Sequence, residues 1–312
     1  MKLNLSLLFL FSLAFVSAQR SIYILPQNKT DLEKNELKGN VKYVKIKEWE
    51  MVVKFGDPVK DICTSTEEIY FKKDGSYQEK SYAYENGDAK RTKKYTYNKN
   101  NQLIEIKVSY VEGNKIEIQE NLYNAKNQLT EINFYYDRSK LYGKDKYSYD
   151  NNQLKSISKY TGDGNLDEKK AFQWNEYSKM LSELTYNKKE EPQTTKNFEY
   201  DATRKLIWQN EEVNFSGTFT EMVQTNFIYN SKNQLTSEMQ KFSSSGSSLQ
   251  IFYTYDSYGN VIKEEEKSGT TGKTKIANQY TYTYDSNGNW LTKLSEDDDK
   301  DYALIEREIK YY

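Results

Sequence analysis

The chain contains no histidine. That removes the base of a Ser-His-Asp triad and the commonest metal ligand. Its single cysteine, Cys63, has no partner for an internal disulfide and reads as a buried or idle thiol. Net charge is nearly absent, with 45 Lys and Arg against 46 Asp and Glu. No field is left to draw in a polyanion, so nucleic acid is not an expected partner. No Gly-rich phosphate loop precedes a helix. Paired carboxylates could support glycoside hydrolysis, but among 46 acidic residues some are neighbours by chance. The expectation is a chain that is not an enzyme and carries no cofactor or metal.

Long apolar runs are missing too, with one exception at the start. Lys2 is followed by an apolar run from Leu5 to Val16 and then by Val16-Ser17-Ala18. This reads as a secretory signal peptide over 1-18, cleaved before Gln19. The run is too short to cross a bilayer. The chain is therefore expected to be exported, whether periplasmic, at the cell surface or secreted, with no membrane span.

Tyrosine is what the chain has in excess, at 29 residues, against only 3 prolines. That composition suits pleated, half-buried strands. The organising phrase is Tyr280 to Leu291, YTYTYDSNGNWL, an alternating aromatic run that ends in a turn and restarts on a large apolar residue. It recurs with its last aromatic at Phe71, Tyr97, Tyr123, Tyr149, Trp174, Tyr200, Tyr229, Tyr255 and Tyr284. Successive anchors stand 26, 26, 26, 25, 26, 29, 26 and 29 residues apart. Two strands and two short turns account for such a period, whereas no 3.6-periodic run is present.

Each period has a near turn and a far turn. The near turn opens on Asn or Asp (Asn98, Asn124, Asp150, Asn175, Asp201, Asn230, Asp256, Asp285), which can close an Asx-turn. Three residues later a positive φ is needed if a type I turn is to end in a bulge, and Asn101, Asn127, Asn233, Gly259 and Gly288 tolerate it. Ser178 and Arg204 break the rule, predicting strained or differently shaped turns, and the stretch from Tyr149 to Leu154 is one residue short. The far turns vary: Glu112 to Asn114, Gly162 to Asn165, Lys188 to Glu191, Asn214 to Gly217, Ser243 to Ser248, Ser268 to Gly272 and Glu296 to Asp301. In repeat arrays the rim free to vary is often the one that binds.

Ahead of the array, Thr30 stands three residues before Glu33, and Gly39 closes the stretch. These mark a capping box and a C-terminal glycine around a short helix carrying Leu32 and Leu37, within an N-terminal segment 19-39. That helix is expected to plug one open end. A long strand pair then runs from Val41 through Trp49, Val52 and Phe55, turning at Gly56-Asp57-Pro58. Over 40-312 the fold class is all-β: tandem antiparallel hairpins coiled into a spiral or rolled sheet, or folded as a sandwich, so that aromatic faces meet.

The stretches Tyr282 to Asn289 (YTYDSNGN) and Tyr253 to Asn260 (YTYDSYGN) resemble the Y-x-Y-D-x-x-G-N core of the RHS/YD-repeat family. The other repeats carry Asn-x-x-Asn-Gln or depart further, so the likeness covers roughly residues 69 to 290 in degenerate form. The resemblance implies a β-strand array, wound in large members into a hollow shell around a toxic C-terminal domain, and elsewhere tied to cell-surface and carbohydrate-binding roles. At this length the toxin-delivery part is not carried over. The signal peptide and the Lys, Asn and Tyr bias are similar to small exported repeat proteins of Bacteroidota.

Candidate site residues are few. Asp163 and Asp167 lie in a stretch with the alternating oxygens of a calcium loop, but glycine is missing at its sixth position and glutamate at its twelfth. Asp297 and Asp299 belong to the run EDDDKD, which reads as a solvated far turn with some capacity for a cation. Trp174 and Trp290 occupy repeat positions and read as core, while Trp208 lies off the pattern and is the freest to stack on a sugar. The expected function is a non-enzymatic exported scaffold or adhesive surface whose partner is an unidentified protein or cell-surface glycan. The alternative is a carbohydrate-binding or carbohydrate-processing module. A third reading, an outer-membrane barrel, is disfavoured by charge and by Glu306, Glu308 and Lys310 in phase with Tyr312.

Overall fold

The structure is a computed structural model that describes residues 30–84, 90–215 and 219–312. The signal peptide, the chain up to residue 29 and part of the far turn from Asn214 to Gly217 lie outside the described residues.

One short helix, α1 (Asp31–Lys34), precedes twenty strands. These are β1 (Val41–Lys54), β2 (Asp57–Phe71), β3 (Tyr77–Tyr84), β4 (Arg91–Tyr97), β5 (Leu103–Tyr110), β6 (Ile116–Tyr123), β7 (Leu129–Tyr136), β8 (Lys140–Asp150), β9 (Gln153–Thr161) and β10 (Leu166–Trp174). They continue as β11 (Met180–Tyr186), β12 (Pro192–Tyr200), β13 (Leu206–Phe215), β14 (Phe219–Tyr229), β15 (Leu235–Phe242), β16 (Ser248–Tyr255), β17 (Val261–Ser268), β18 (Thr274–Tyr284), β19 (Trp290–Glu296) and β20 (Tyr302–Tyr311). Every strand pairs antiparallel with its neighbours in sequence, and β20 pairs with β1, Ile46 opposite Arg307 and Val44 opposite Ile309. The sheet is a closed up-and-down barrel.

Closure corrects the expected spiral, rolled sheet or sandwich. Strands twist relative to one another, so a long meander curls, and pairing the last strand with the first removes both edges at once. Neighbouring strands lie about 4.8 Å apart, so twenty give a perimeter of roughly 95 Å before tilt and a backbone diameter of at least roughly 30 Å. The described ring contacts join nearby strands, for example Phe71 with Tyr77 at 5.6 Å and Tyr77 with Tyr95 at 5.1 Å. The aromatic faces therefore pack side by side along the wall rather than face to face.

Closure also overturns the expectation of no membrane span. Among the described residues no helix is long and apolar enough to cross a membrane, but a closed barrel can cross with strands, because each backbone group is satisfied by a neighbour around the ring. The short apolar runs that set a span aside do not bear on that architecture.

The period-two alternation gives the wall two unlike faces. In β4, Lys94 and Thr96 are exposed while Tyr95 and Tyr97 are partly covered, and in β10 Phe172 is buried beside exposed Gln173. The covered set belongs to the concave side, where side chains converge. Local cores form there: Leu154, Phe172, Met180 and Phe198 pack with Tyr149, Trp174 and Tyr200. A second core joins Val41, Val44, Ile69 and Phe71 to Leu37 and Leu32 of the N-terminal segment.

The nine anchors fall at the ends of the even strands from β2 to β18. Eight of the nine near turns share one backbone pattern, the first residue's N–H bonding the carbonyl four on and the fourth residue's N–H bonding back, as in Asn98 to Gln102 at 2.9 Å and Asn101 to Asn98 at 3.0 Å. A register shift beside each confirms the bulge, as between Thr96 and Tyr97. Ser178 (φ 58) and Arg204 (φ 66) adopt the same left-handed conformation as the other turns, so the turns are not reshaped; the strain is simply borne. The short stretch uses a two-residue turn in which Asn151 (φ 46) and Asn152 (φ 65) both have positive φ, the type I′ solution. The β1–β2 turn lies one residue earlier than expected, at Phe55-Gly56.

Candidate functional site

All near turns lie at one rim and all far turns at the other, because even strands end at the first and odd strands at the second. The near rim is built by a repeated clasp. Between β5 and β6 the ladder stops at Glu105 and Glu120, leaving the Leu103 carbonyl with no partner on that side. The Tyr123 hydroxyl donates to that carbonyl at 2.8 Å, and the Asn121 amide donates to it at 3.0 Å. The same step recurs from Tyr149 to Leu129 at 2.9 Å, Tyr200 to Met180 at 2.9 Å, Tyr255 to Leu235 at 2.6 Å and Tyr282 to Val261 at 3.0 Å. Trp174 replaces the hydroxyl with its indole N–H, which donates to Leu154 at 2.6 Å. Each aromatic thus ties together two strands that no near turn connects.

Turn chemistry comes in two forms. Where the turn is Asn-x-x-Asn-Gln, the Asn98 side-chain oxygen accepts from the Asn100 and Gln102 amides, and its NH₂ donates to the Gln102 side chain at 2.8 Å. Where it is Asp-x-x-Gly-Asn, one Asp256 oxygen accepts from the Tyr258 and Asn260 amides at 2.9 Å, and the other accepts from the Tyr284 hydroxyl of the next hairpin. Tyr258 stacks on Tyr284 with centroids 4.0 Å apart. Asp285 repeats the arrangement with Tyr311. The Asp form therefore links successive hairpins through its own carboxylate, whereas in the Asn form the first side chain is spent within its turn and the link comes from the glutamine, Gln102 donating to the Asn127 carbonyl at 3.2 Å.

Helix α1 sits on this rim. The expected capping box is present, Glu33 N–H donating to the Thr30 hydroxyl at 3.2 Å and Thr30 N–H to the Glu33 carboxylate at 2.7 Å. Asp31 accepts from the Tyr77 amide at 2.9 Å, Leu32 N–H donates to the Gly75 carbonyl, and Lys38 N–H donates to Asn289 at 2.7 Å. These contacts span one arc across the β20–β1 seam, so the one-turn helix buttresses the seam rather than plugging the opening.

The far rim follows no single plan. It runs from the two-residue turn Phe55-Gly56 and the three-residue turn Asp137 to Ser139 to longer loops such as 243–247 and 269–273. Two far turns borrow the near-rim geometry: Asn187 accepts from the Lys189 and Glu191 amides, and Asp297 from the Asp299 and Asp301 amides at 3.0 and 2.9 Å.

The structure does not bring the proposed site residues together. Asp163 and Asp167 are exposed at the β9–β10 turn and the start of β10, while Asp297 and Asp299 belong to the β19–β20 turn, ten strands away around a ring of twenty. Asp297 is spent on closing its own turn, and Asp298 accepts from the Ala277 amide at 2.8 Å. Among the described residues, no group of three or more His, Cys, Asp or Glu is gathered to hold a metal. Trp208 lies near the other rim, opposite Glu199 and Asn226, partly covered, beside exposed Ile207. Trp174 packs in the inner wall, as its repeat position implied. Cys63 is free and partly covered, its thiol 3.5 Å from the Ser65 carbonyl. Two shallow depressions, of about 460 and 340 Å³, lie against β7–β9 and around Asn230, Tyr253 and Asp256, and neither contains Trp208 or the four aspartates.

No protein-family profile matches the sequence, and no curated protein matches it. Solved structures with some likeness include a porin-like protein from Bacteroides uniformis, 11% identical over 88% of this chain and 99% of that one, with a TM-score of 0.37. A porin-like protein from Bacteroides vulgatus is 9% identical over 88% of this chain and 99% of that one, at 0.31. A TcdB2-TccC3-TEV structure is 10% identical over 80% of this chain but only 18% of that one, at 0.23. Scores this low leave the architecture to the strand pairing itself, and the RHS/YD likeness rests on the repeat residues alone.

Proposed function

We propose that the chain is a non-enzymatic β-barrel scaffold of the cell envelope that presents its far rim to a protein or glycan partner. The observation that carries this reading is the asymmetry of the two rims. The near rim is bound into one hydrogen-bonded belt by Tyr123, Tyr149, Trp174, Tyr200, Tyr255 and Tyr282. The far rim carries turns of differing length, tied back to a neighbouring strand by single backbone bonds such as Val111 N–H to the Lys90 carbonyl and Ser243 N–H to the Met222 carbonyl, both at 2.9 Å, and not by that side-chain clasp. A ring whose turns vary in length along one edge is a platform for variable loops. The degenerate YD-like repeat supplies the ring, and no catalytic constellation is part of this reading.

The test is retention on isolated cell envelopes. Chains in which 243–247 and 297–301 are replaced by Gly/Ser loops of equal length should lose retention, while a near-rim control, Lys126→Ala, keeps it. Full retention by the far-rim variant would sink the proposal.

A further inference from the structure

On the inner wall of the β18–β20 sector, two cations stand together without an anion. Lys293 of β19 is only 9% exposed, and its ammonium lies over the Tyr280 ring, 4.3 Å from the centroid. Arg307 of β20 stacks on Trp290 at 3.3 Å, and its Nε and Nη1 atoms are buried with no hydrogen-bond partner. Lys293 is paired with Ile305 in the ladder, so Arg307, two residues further along the same face, is its diagonal neighbour, at roughly 7–8 Å between backbones. Glu264 and Glu36 are near enough for Lys293 to feel their charge, and Glu36 and Glu67 for Arg307. None of these carboxylates approaches either cation within the 4.0 Å of an ion pair among the described residues.

This arrangement is costly as it stands. Buried donors on a charged group forfeit their hydration unless something replaces it, and two like charges repel across a poorly hydrated wall. Other partly covered cations are neutralised, as where Lys170 meets Glu183 at 2.9 Å and Lys144 meets Glu131 at 3.1 Å. The Lys293–Arg307 pair sits beside a built aromatic surface, Trp290 edge-on to Tyr282 at 6.2 Å. A guanidinium fork and an ammonium on one face fit the two or three oxygens of an oxyanion.

The geometry points to an oxyanion-binding site on the inner wall of the barrel, formed by Lys293 and Arg307 against Trp290 and Tyr280, for a small ligand bearing a carboxylate or a phosphate. The site lies on the wall and not on the far rim, so it stands or falls separately from the rim's role.

The experiment titrates the full mature chain with inorganic phosphate in one arm and galacturonate in the other, reading tryptophan fluorescence and calorimetric heat, with galactose as the uncharged control. Saturable binding of either anion, weakened at least tenfold by Lys293→Met and by Arg307→Leu, is the expected result. Binding in one arm alone identifies the source of the oxyanion. Both variants should fold and melt no lower than the parent without ligand, because each removes an uncompensated charge. Binding of neither anion, or binding that galactose matches or that both substitutions leave unchanged, overturns the proposal.

Discussion

The two rims of the barrel are made from the same strands and the same residue types, yet only one repeats a single turn plan. At the near rim the inter-hairpin ladders stop short, and a tyrosine hydroxyl or an indole N–H takes the carbonyl that would otherwise be left without a partner. At the far rim several turns also bond back to a neighbouring strand, as Gly269 N–H does to the Ser248 carbonyl at 2.9 Å, but their lengths differ from one to the next. The lesson is that a closed sheet clasped by one repeated side-chain device at one end can vary its turn lengths at the other.

The sharpest way to break that contrast is Gly288→Val. Gly288 has φ +76, and a Cβ there would stand 3.3 Å from the Tyr258 ring. A β-branched residue in that conformation should cost about 2–4 kcal/mol, seen as a lowered denaturation midpoint. An unchanged midpoint would mean that the bulged near turn is not needed.

Next in size is Tyr255→Phe. It keeps the ring and removes the hydroxyl that donates to Leu235 at 2.6 Å, so a loss of about 1–2 kcal/mol is expected. The matching change outside the clasp, Tyr302→Phe, should be nearly silent. Equal losses in the two would show that packing, not the hydroxyl, ties the hairpins together.

A third effect separates the Asp turns from the Asn turns by pH. Burial works to raise the Asp256 carboxyl, but hydrogen bonds from the Tyr284 hydroxyl and from the Asn260 and Tyr258 amides outweigh it and hold it below the usual carboxylate range. Asp285 is held down in the same way, with Tyr311 as donor. A depressed folded value means that the stabilisation is fully present above the unfolded pKa of about 4 and is lost as pH falls through the folded one. Acid should therefore weaken the β16–β20 sector, and Asp256→Asn together with Asp285→Asn should reduce the acid limb of the stability profile. An acid limb identical to the parent's would remove the distinction between the two turn forms.

The smallest effect belongs to the far rim. Inserting two Gly/Ser residues between Ser245 and Gly246 should change stability by no more than about 0.5 kcal/mol. A loss comparable to that of Gly288→Val would erase the difference between the rims.

How much of this was legible beforehand follows from the range of each interaction. The anchors at Phe71 to Tyr284 mark strand ends because alternation and turn chemistry are local, and the Thr30–Glu33 cap is local as well. Closure was not legible, since the seam joins Val44 to Ile309 with no short-range mark on either. The clasp was hidden because tyrosine reads as bulk, and its hydroxyl matters only once the Leu103 carbonyl is known to lack a ladder partner. Ser178 and Arg204 left two outcomes open, and the strained one holds because non-glycine residues can keep a left-handed turn when its neighbours fix it. The four aspartates lie ten strands apart in two pairs, a separation that was not legible because sequence gives spacing along the chain but not position around a ring. Lys293 and Arg307 carry no mark in the sequence that sets them apart from other strand charges; only their burial does.

The seam carries one further consequence, for the parity of the barrel. Because β20 meets β1 antiparallel, the strand count must be even, and each period of the chain contributes two. Excising one whole period would preserve the seam and narrow the ring by roughly 10 Å of perimeter; excising a single strand would force a parallel junction that no part of the chain is built to make. Such a protein can grow or shrink only in pairs.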